Sequence, residues 1–297
     1  MQKRIVIVGQ GPAGKSIARL LQHTKYDISI ECWDIDIKAC PTRRPLEEII
    51  PKADIILLCI PSWAIRVAAK DLRHLLSPTT GIVSISKGLD RTSESTIDEL
   101  LAEVFPKAKK IALLSGPMLA SEIMDDKPGA AVIASPNKAF REEVAKIFEK
   151  TNLHVMTSGD VRGVALCGIL KNIYSIGLGA AQALHPGDNF RGMFAYATID
   201  EMMRILAHLK AKKETVCSYA GIGDLIATGF SKHSKNHSYG NALVQTGKPD
   251  FDSEGSVSVK PLAKRLGSFT KETPVFKVIL DIVSKKKDAS AILKLFS

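Results

Sequence analysis

Two polar residues, Lys171 and Asn172, interrupt the long apolar stretch from residue 164 to residue 184. An ammonium group among apolar neighbours is costly unless it meets a carboxylate or an anionic ligand. Burial lowers the pKa of a lysine, and this suits a group that gives and takes a proton near neutral pH. Lys171 is therefore a candidate proton donor, with Asp224 as its candidate partner. The alternative is a lysine that extends along the rim of a helix into solvent.

Three other segments carry residues suited to polar chemistry. Lys87 follows a strand pattern that ends at Ser86, so it should project from the carboxyl edge of a parallel sheet, where such sheets bind ligands. Gly116 follows the next strand in the same way. Asp224 closes the sequence Gly-Ile-Gly-Asp at 221–224, and Ser-Lys-Asn follows at 234–236. These residues predict a site that combines positive charge with hydrogen-bonding groups.

The first strand pattern ends in a G-x-G-x-x-G sequence at residues 9–14. Gly9 permits a tight turn, Gly11 lets the backbone approach a pyrophosphate, and Gly14 allows a helix to pack closely on the strand. The helix that begins near Ala13 would direct its amides and positive dipole end at the phosphates. The sequence therefore predicts a dinucleotide site; a tight turn without a ligand is the alternative.

An acidic residue, Asp34, follows the second strand pattern, twenty residues after Gly14. A carboxylate at this position would accept hydrogen bonds from the adenosine ribose of NAD and repel the extra phosphate of NADP. We therefore expect NAD as the cofactor. NADP stays open because Lys38, Arg43 and Arg44 are near enough in sequence to meet a 2′-phosphate.

These candidate residues lie in two regions with different periodicity. Up to residue 158, apolar strand patterns alternate with helical patterns, which is typical of a parallel sheet covered by helices. After Asp160 helical periodicity replaces the strand patterns, and 231–258 is polar and predicts a loop with one short helix. We predict an α/β fold with a Rossmann-type doubly wound dinucleotide-binding domain at 1–158 and an all-helical catalytic domain at 159–297. The active site is expected in the cleft between them.

Composition excludes several classes of protein. The chain has 297 residues, of which 45% are hydrophobic and 24% charged, and this is ordinary for a globular protein rather than a disordered or fibrous one. The net charge of +10 arises largely from short lysine clusters around residues 107–110, 210–213 and 285–287, without interleaved aromatic residues. Such clusters favour solvated surfaces, so we expect no nucleic-acid partner.

The cysteines and the apolar segments of the sequence predict a cytoplasmic protein. The five cysteines are odd in number and lack C-x-x-C spacing, which favours reduced thiols. The first residues run into a strand pattern rather than a signal peptide, and Lys171 and Asn172 argue against a membrane span at 164–184. His233 and His237 stand four residues apart, but no third ligand pattern lies nearby, so we expect no metal.

Nine short segments resemble, in order and spacing, those of the NAD(P)-dependent glycerol-3-phosphate dehydrogenase family over nearly the whole chain. The combination of AGIGDL with the Lys-Asn pair is specific to that family. The resemblance implies reversible reduction of dihydroxyacetone phosphate to sn-glycerol 3-phosphate. The segments are GQGPAG at 9–14, ADIILLCIPS at 53–62, SKGL at 86–89, LSGP at 114–117, LKN at 170–172, GDN at 187–189, AGIGDL at 220–225, SKN at 234–236 and EG at 254–255.

The resemblance also implies a role for each matching residue. Lys171 would protonate the carbonyl oxygen as the hydride arrives, Lys87 would polarise that oxygen, and Asp224 would orient Lys171. A phosphate remote from the reacting carbon would supply binding energy for positioning. The substrate-binding residues would be Lys87, Gly116, Asn172, Asp224, Ser234, Lys235 and Asn236, and the cofactor-binding residues Gly9, Gly11, Pro12, Ala13, Gly14, Asp34, Lys87, Ala120, Lys235 and Glu254.

Four positions depart from the family pattern. Lys235 stands where the family has a phosphate-binding arginine, and lysine lacks the planar fork that grips phosphate with two hydrogen bonds. Met118 replaces a serine, Pro12-Ala13 replaces Ser-Trp, and 196–198 lacks the arginine of a Thr-Arg-Gly segment. We therefore expect a weaker or altered grip on phosphate.

We conclude that the chain resembles a glycerol-3-phosphate dehydrogenase that uses NAD, with NADP possible, and serves glycerophospholipid synthesis. Its partner would be a small phosphorylated substrate, and we expect a homodimer without a membrane span. Two alternatives stay open at this point. One is an oxidoreductase of the same fold that acts on another small hydroxy acid or phosphorylated ketone. The other is a nucleotide-binding protein without catalytic activity.

Overall fold

The structure is a computed structural model that describes residues 2–231 and 233–296. Its residues divide into two compact units, Met1–Ala165 and Leu166–Ser297. The division falls inside one helix, a few residues beyond residue 158. The domain boundary at residue 158 stays a prediction.

The first unit is a sheet of seven strands in the order β2-β1-β3-β4-β5-β6-β7. Buried β-branched and leucine side chains, such as Ile5, Ile7 and Leu57, form its core with helices packed on the sheet. This arrangement confirms the expected Rossmann-type α/β fold. The strands are β1 (Lys3–Val8), β2 (Ile28–Trp33), β3 (Ile55–Leu58), β4 (Gly81–Ser84), β5 (Ile111–Ser115), β6 (Gly129–Ala134) and β7 (Leu153–Ser158).

One feature of the sheet differs from the predicted all-parallel order. The strands β1 to β5 are parallel, whereas β6 pairs antiparallel with β5 and parallel with β7. The chain between β5 and β6 holds only the five-residue helix α5, and antiparallel neighbours need no helical crossover. The helices of this unit are α1 (Pro12–Gln22), α2 (Leu46–Ile49), α3 (Ser62–Leu72), α4 (Ile97–Val104), α5 (Ala120–Met124) and α6 (Lys138–Ile147).

The second unit contains helices and no strand among its described residues. The segment 231–258, predicted as a loop with a short helix, instead contains a twelve-residue helix and the start of another. Side-chain caps explain the difference, because Ser234 and Ser253 each accept a hydrogen bond from an amide of the first turn. The helices are α7 (Val161–Ala183), α8 (Asp188–His208), α9 (Asp224–Gly229), α10 (Lys235–Thr246), α11 (Glu254–Leu266) and α12 (Pro274–Val283).

Helix α7 is long and apolar enough to cross a membrane by length and composition alone. Its most apolar window is wholly buried inside the structure. Tyr174, Lys171 and Asn172 are among its buried polar side chains. Complete burial of this kind is typical of the central helix of a helical core.

A buried carboxylate holds the start of α12 against α7 and α8. Glu201 of α8 accepts hydrogen bonds from the amides of Val275 and Phe276 at 2.6 and 2.8 Å and from the Tyr174 hydroxyl at 2.8 Å. Burial raises the pKa of Glu201, although the three donors act in the opposite direction. This one side chain therefore replaces the missing side-chain cap of α12.

Substitution of this carboxylate should destabilise the fold. Glu201→Ala would leave two amides and one hydroxyl buried without their partner, so the free energy of unfolding should fall by about 3 kcal/mol or more. Urea denaturation of both proteins measures the difference. The control is Glu214→Ala at an exposed position, which should change the value by less than about 0.5 kcal/mol. Equal effects of the two substitutions would contradict the role given to Glu201.

Candidate active site

The glycine loop joins β1 to α1 and leaves the helix amino terminus open to an anion. Gly9 adopts φ +100°, and a Cβ there would lie 2.5 Å from the carbonyl oxygen of Cys59, so only glycine fits this turn. Gly11 is the N-cap of α1, and no side chain caps the helix. A Cβ at Gly11 would meet no atom within 4 Å, so open space faces the uncapped first turn. This cradle fits the diphosphate of a dinucleotide.

Asp34 lies beside the glycine loop, immediately after β2. Its carboxylate accepts hydrogen bonds from the backbone amide of Gln10 at 2.6 Å and from the backbone amide of Asp36 at 2.8 Å. Arg43 donates to the carbonyl oxygens of Asp34 and Ile35, and its guanidinium carbon lies 5.4 Å from the centre of the Trp33 ring. The structure therefore places a negative and a positive group together where the ribose of a dinucleotide would bind.

The other two candidate cations for a 2′-phosphate, Arg44 and Lys38, have different surroundings from Arg43. Arg44 forms ion pairs with Glu31 at 3.2 Å and with Glu48 at 2.8 Å. Lys38 is exposed on the loop after β2. Arg43, by contrast, contacts the Asp34 residue itself through its backbone carbonyl oxygen.

Lys87 and Gly116 meet at the same edge of the sheet. The Nζ atom of Lys87 donates to the carbonyl oxygen of Gly116 at 3.2 Å, and the Ser86 hydroxyl donates to the carbonyl oxygen of Ile60 at 2.5 Å. These residues follow the carboxyl ends of β4, β5 and β3, and the glycine loop follows that of β1. Ala120 begins α5 a few residues after Gly116. The candidate cofactor residues of the first unit therefore gather at one edge.

A buried ion pair lies at the middle of α7 in the second unit. Lys171 and Asp224 are 7% and 3% exposed, and the lysine Nζ lies 3.3 Å from the carboxylate oxygen Oδ1. Nζ also donates to the Thr228 hydroxyl at 2.9 Å, and that hydroxyl donates to Asp224 at 3.1 Å. The lysine thus points into the protein rather than along the helix rim. Such a triangle fixes the direction of the ammonium group.

Hydrogen bonds between amide groups connect Asn172, the next residue of α7, to α10 and α11. Asn236 donates from its Nδ2 atom to the Asn172 oxygen at 2.8 Å and accepts from the Gly255 amide at 2.8 Å. A Cβ at Gly255 would lie 2.4 Å from the Asn172 carbonyl oxygen, so glycine lets α11 approach α7 here. The contacts fix Asn172 and the starts of α10 and α11 relative to one another.

Four of the predicted residues of the second unit form two contacting pairs. Lys171 of α7 pairs with Asp224, and Asn172, the next residue of α7, pairs with Asn236 of α10. Ser234 caps α10 by accepting from the His237 amide at 3.3 Å, and Lys235 is exposed at the first position of that helix. Glu254 begins α11, next to Gly255.

Sequence reasoning missed Thr228 and the local structure that precedes Asp224. Thr228 lies four residues after Asp224, a spacing that places both on one face of α9, and this signal could have found it. Residues Tyr219–Gly223 form a π-helix, a rare element that is often found at functional sites. This wide turn leads directly into Asp224 at the start of α9.

Family models cover most of the chain. Residues 34–141 match the model described as NAD-dependent glycerol-3-phosphate dehydrogenase N-terminus, and residues 160–294 match the corresponding C-terminus model. The chain is 31% identical over 296 residues to a glycerol-3-phosphate dehydrogenase [NAD(P)+] of Synechocystis sp., covering 98% of this chain and 86% of the relative. An enzyme of the same name from Halothermothrix orenii is 30% identical, over 89% of this chain and 82% of the relative.

Solved structures support the fold. A glycerol-3-phosphate dehydrogenase from Coxiella burnetii superposes with a TM-score of 0.85 at 24% identity, covering 99% of this chain and 98% of the other. One from Plasmodium falciparum gives a TM-score of 0.88 at 17% identity, covering 99% and 95%. At these identities the likeness shows a shared fold.

The buried ion pair should show strong energetic coupling. Asp224→Asn leaves the ammonium of Lys171 without its carboxylate, so the free energy of unfolding should fall by about 3–5 kcal/mol. Lys171→Met alone leaves the carboxylate uncompensated and should also destabilise. The double variant should be more stable than the sum of the two losses predicts, by about 1–3 kcal/mol. Urea denaturation of the four proteins provides this cycle, and strictly additive losses would contradict a direct ion pair.

Proposed function

The chain belongs to the NAD-dependent glycerol-3-phosphate dehydrogenase family, and from that premise we propose that it reversibly reduces dihydroxyacetone phosphate to sn-glycerol 3-phosphate. The protein is an oxidoreductase with an NAD or NADP cofactor, as its family membership implies. The observation that carries the proposal is the buried ammonium of Lys171, held by Asp224 and Thr228 beside the amide of Asn172. This arrangement suits proton transfer to a carbonyl oxygen.

The cofactor would bind at the carboxyl edge of the first unit's sheet. The residues there fit a dinucleotide, because the open space at Gly11 admits a diphosphate and Asp34 offers a carboxylate to a ribose. Gly9, Pro12, Ala13 and Gly14 belong to the same loop, and Lys87, Ala120, Lys235 and Glu254 are proposed as further contacts. A bound nicotinamide ring supplies the hydride for the reaction.

The chain's own side chains handle the charge that develops on the substrate oxygen. Lys171 would donate a proton to that oxygen, and Asp224 orients the ammonium group for the transfer. The family pattern gives Lys87 a role at this oxygen as well, where a positive charge would lower the cost of the negative charge in the transition state. Asn172 would supply an amide that fixes a substrate hydroxyl, and the family pattern implies that Gly116 also contacts the substrate.

The phosphate of the substrate would bind at the start of α10. Ser234, Lys235 and Asn236 offer a hydroxyl, an ammonium and an amide at consecutive positions. A remote phosphate held in this way positions the reacting carbon without taking part in the chemistry. Lys235 binds phosphate as a point charge rather than as a two-pronged fork, so the grip is weaker than an arginine would give.

We further propose NAD as the preferred cofactor. Asp34 would repel a 2′-phosphate, and this effect supports NAD. Arg43 donates hydrogen bonds to two backbone carbonyl oxygens and lies over the Trp33 ring. These contacts already use part of its hydrogen-bonding capacity. NADP would have to displace these contacts to use Arg43.

The cellular setting is part of the same proposal. The product would enter glycerophospholipid synthesis, and the protein would work in the cytoplasm, which the odd number of cysteines and the lack of C-x-x-C spacing support. We also expect a homodimer. Exposed apolar side chains on α8, such as Met193 and Tyr196, offer surface for contact with a second copy.

Turnover measurements test the proposed activity. The protein should oxidise NADH in the presence of dihydroxyacetone phosphate, faster than with dihydroxyacetone or with ketoacids, and kcat/KM should be lower with NADPH. Lys171→Met should lower kcat by about 10²–10⁴-fold because the proton donor is lost. NADH binding, followed by fluorescence titration, should stay near the wild-type value. A variant that keeps most of its kcat would remove Lys171 from the mechanism, and a ketoacid that outperforms the phosphorylated ketone would replace the proposed substrate.

A second substitution tests the phosphate grip alone. Lys235→Arg restores a guanidinium fork, so KM for dihydroxyacetone phosphate should fall by about tenfold while kcat changes little. The matched control is Lys248→Arg, an exposed lysine away from the proposed site, which should leave KM unchanged. An unchanged or raised KM in Lys235→Arg would refute the phosphate assignment.

A further inference from the structure

A pocket lies in the first unit, apart from the residues of the proposed reaction. Its volume is about 480 Å³, and residues between 73 and 80 and residues 105–108 line it. These residues form the loops that lead into β4 and β5. Because Lys87 and Gly116 follow the carboxyl ends of the same two strands, the pocket lies at the opposite ends of those strands.

Apolar side chains form much of the pocket wall. Phe105 is 3% exposed, Leu76 is half-buried, and Pro78 and Pro106 are exposed beside them. The volume falls within the range of pockets that take small molecules. The wall would bury the apolar part of a ligand, and each CH₂ group transferred from water would add to the affinity.

Positive charge surrounds this apolar wall. Arg73 and Lys107 both line the pocket and are exposed, and neither has an ion-pair partner within residues 2–231 and 233–296. His74 is a third lining residue, with its Nδ1 atom 3.1 Å from the carbonyl oxygen of Lys70. Two cations without carboxylates beside an apolar pocket match a ligand with an apolar body and an anionic end.

We propose that this pocket binds a small amphiphilic anion, with its apolar body against Phe105 and Leu76 and its anionic group between Arg73 and Lys107. An inorganic anion would leave the apolar wall in contact with water, and a neutral hydrocarbon would leave both cations without a partner. A carboxylate, sulfate or phosphate monoester on a medium-length chain uses both features. The proposal concerns a site distinct from the one that carries the proposed reaction.

Isothermal titration calorimetry of the full chain with sodium octanoate tests the site. Saturating NADH is present, so that the probe does not enter the dinucleotide site. Octanoate should bind at one site, at least about tenfold tighter than octanol or inorganic phosphate, each of which offers only half of the recognition. Raising the salt concentration should weaken octanoate binding, because exposed charges are screened.

Three variants locate the binding. Arg73→Ala/Lys107→Ala should weaken octanoate binding by about tenfold, and Ala108→Trp should abolish it by filling the pocket. Lys109→Ala is the matched control, since Lys109 is an exposed lysine of the same loop that does not line the pocket. All three should keep the wild-type melting temperature within a few degrees and the wild-type turnover of dihydroxyacetone phosphate.

Several outcomes would overturn the proposal. Octanoate binding that is absent, or equally strong in wild type, the double variant and Ala108→Trp, would show that the pocket does not take this class of ligand. Inorganic phosphate that binds as tightly as octanoate would remove the apolar part of the argument. Self-association in sedimentation velocity that Ala108→Trp alone abolishes would assign the pocket to a second copy of the chain. None of these results depends on the outcome of the turnover measurements.

Discussion

A buried ammonium group requires a carboxylate beside it, and this requirement organises the second unit. Lys171 sits on a helix whose apolar residues are buried on all sides, so most of its side chain is shielded from bulk water. The start of α9 provides the carboxylate of Asp224 and, one turn later, the hydroxyl of Thr228. The π-helix before α9 therefore matters for chemistry, because it sets where Asp224 begins the next helix.

The same helix is fixed by two more polar residues that point to other elements. Asn172 bonds Asn236 at the start of α10, and Tyr174 bonds Glu201, which in turn holds the start of α12. Apolar contacts allow a helix to slide or rotate by small amounts, whereas hydrogen bonds of buried groups impose a direction and a distance. Three polar residues within one turn of α7 thus define its rotation and register, and with them the position of the Lys171 ammonium.

The sequence predicted those features that depend on local pattern. The apolar strand runs, the glycine loop and the 23-residue span of α7 are all visible in residue order, and the structure has them. The reversal at β6 was not predicted, because antiparallel and parallel partners of a buried strand carry the same apolar pattern. The sequence predicted only one short helix in 231–258, because the serines and asparagines of α10 look like loop residues until α7 is packed against them. Glu201 owes its importance to contacts made across long sequence separations, which no spacing rule exposes, whereas Thr228 lies four residues after Asp224 and is visible as its neighbour on one helix face.

Most positions at which this chain departs from the pattern of its family are accessible to solvent. Pro12, Ala13, Lys235 and Tyr196 are exposed and Met118 and Ala197 are half-buried, whereas Thr198 is buried. The matching residues Lys171, Asn172, Asp224 and Asn236 are all less than 9% exposed and bonded to one another in pairs. An exchange at an exposed position changes one contact in a medium of high dielectric constant, where its energetic cost is small. An exchange in the buried pairs would leave a charge or an amide without its partner, so most departures of this chain lie where an exchange costs less.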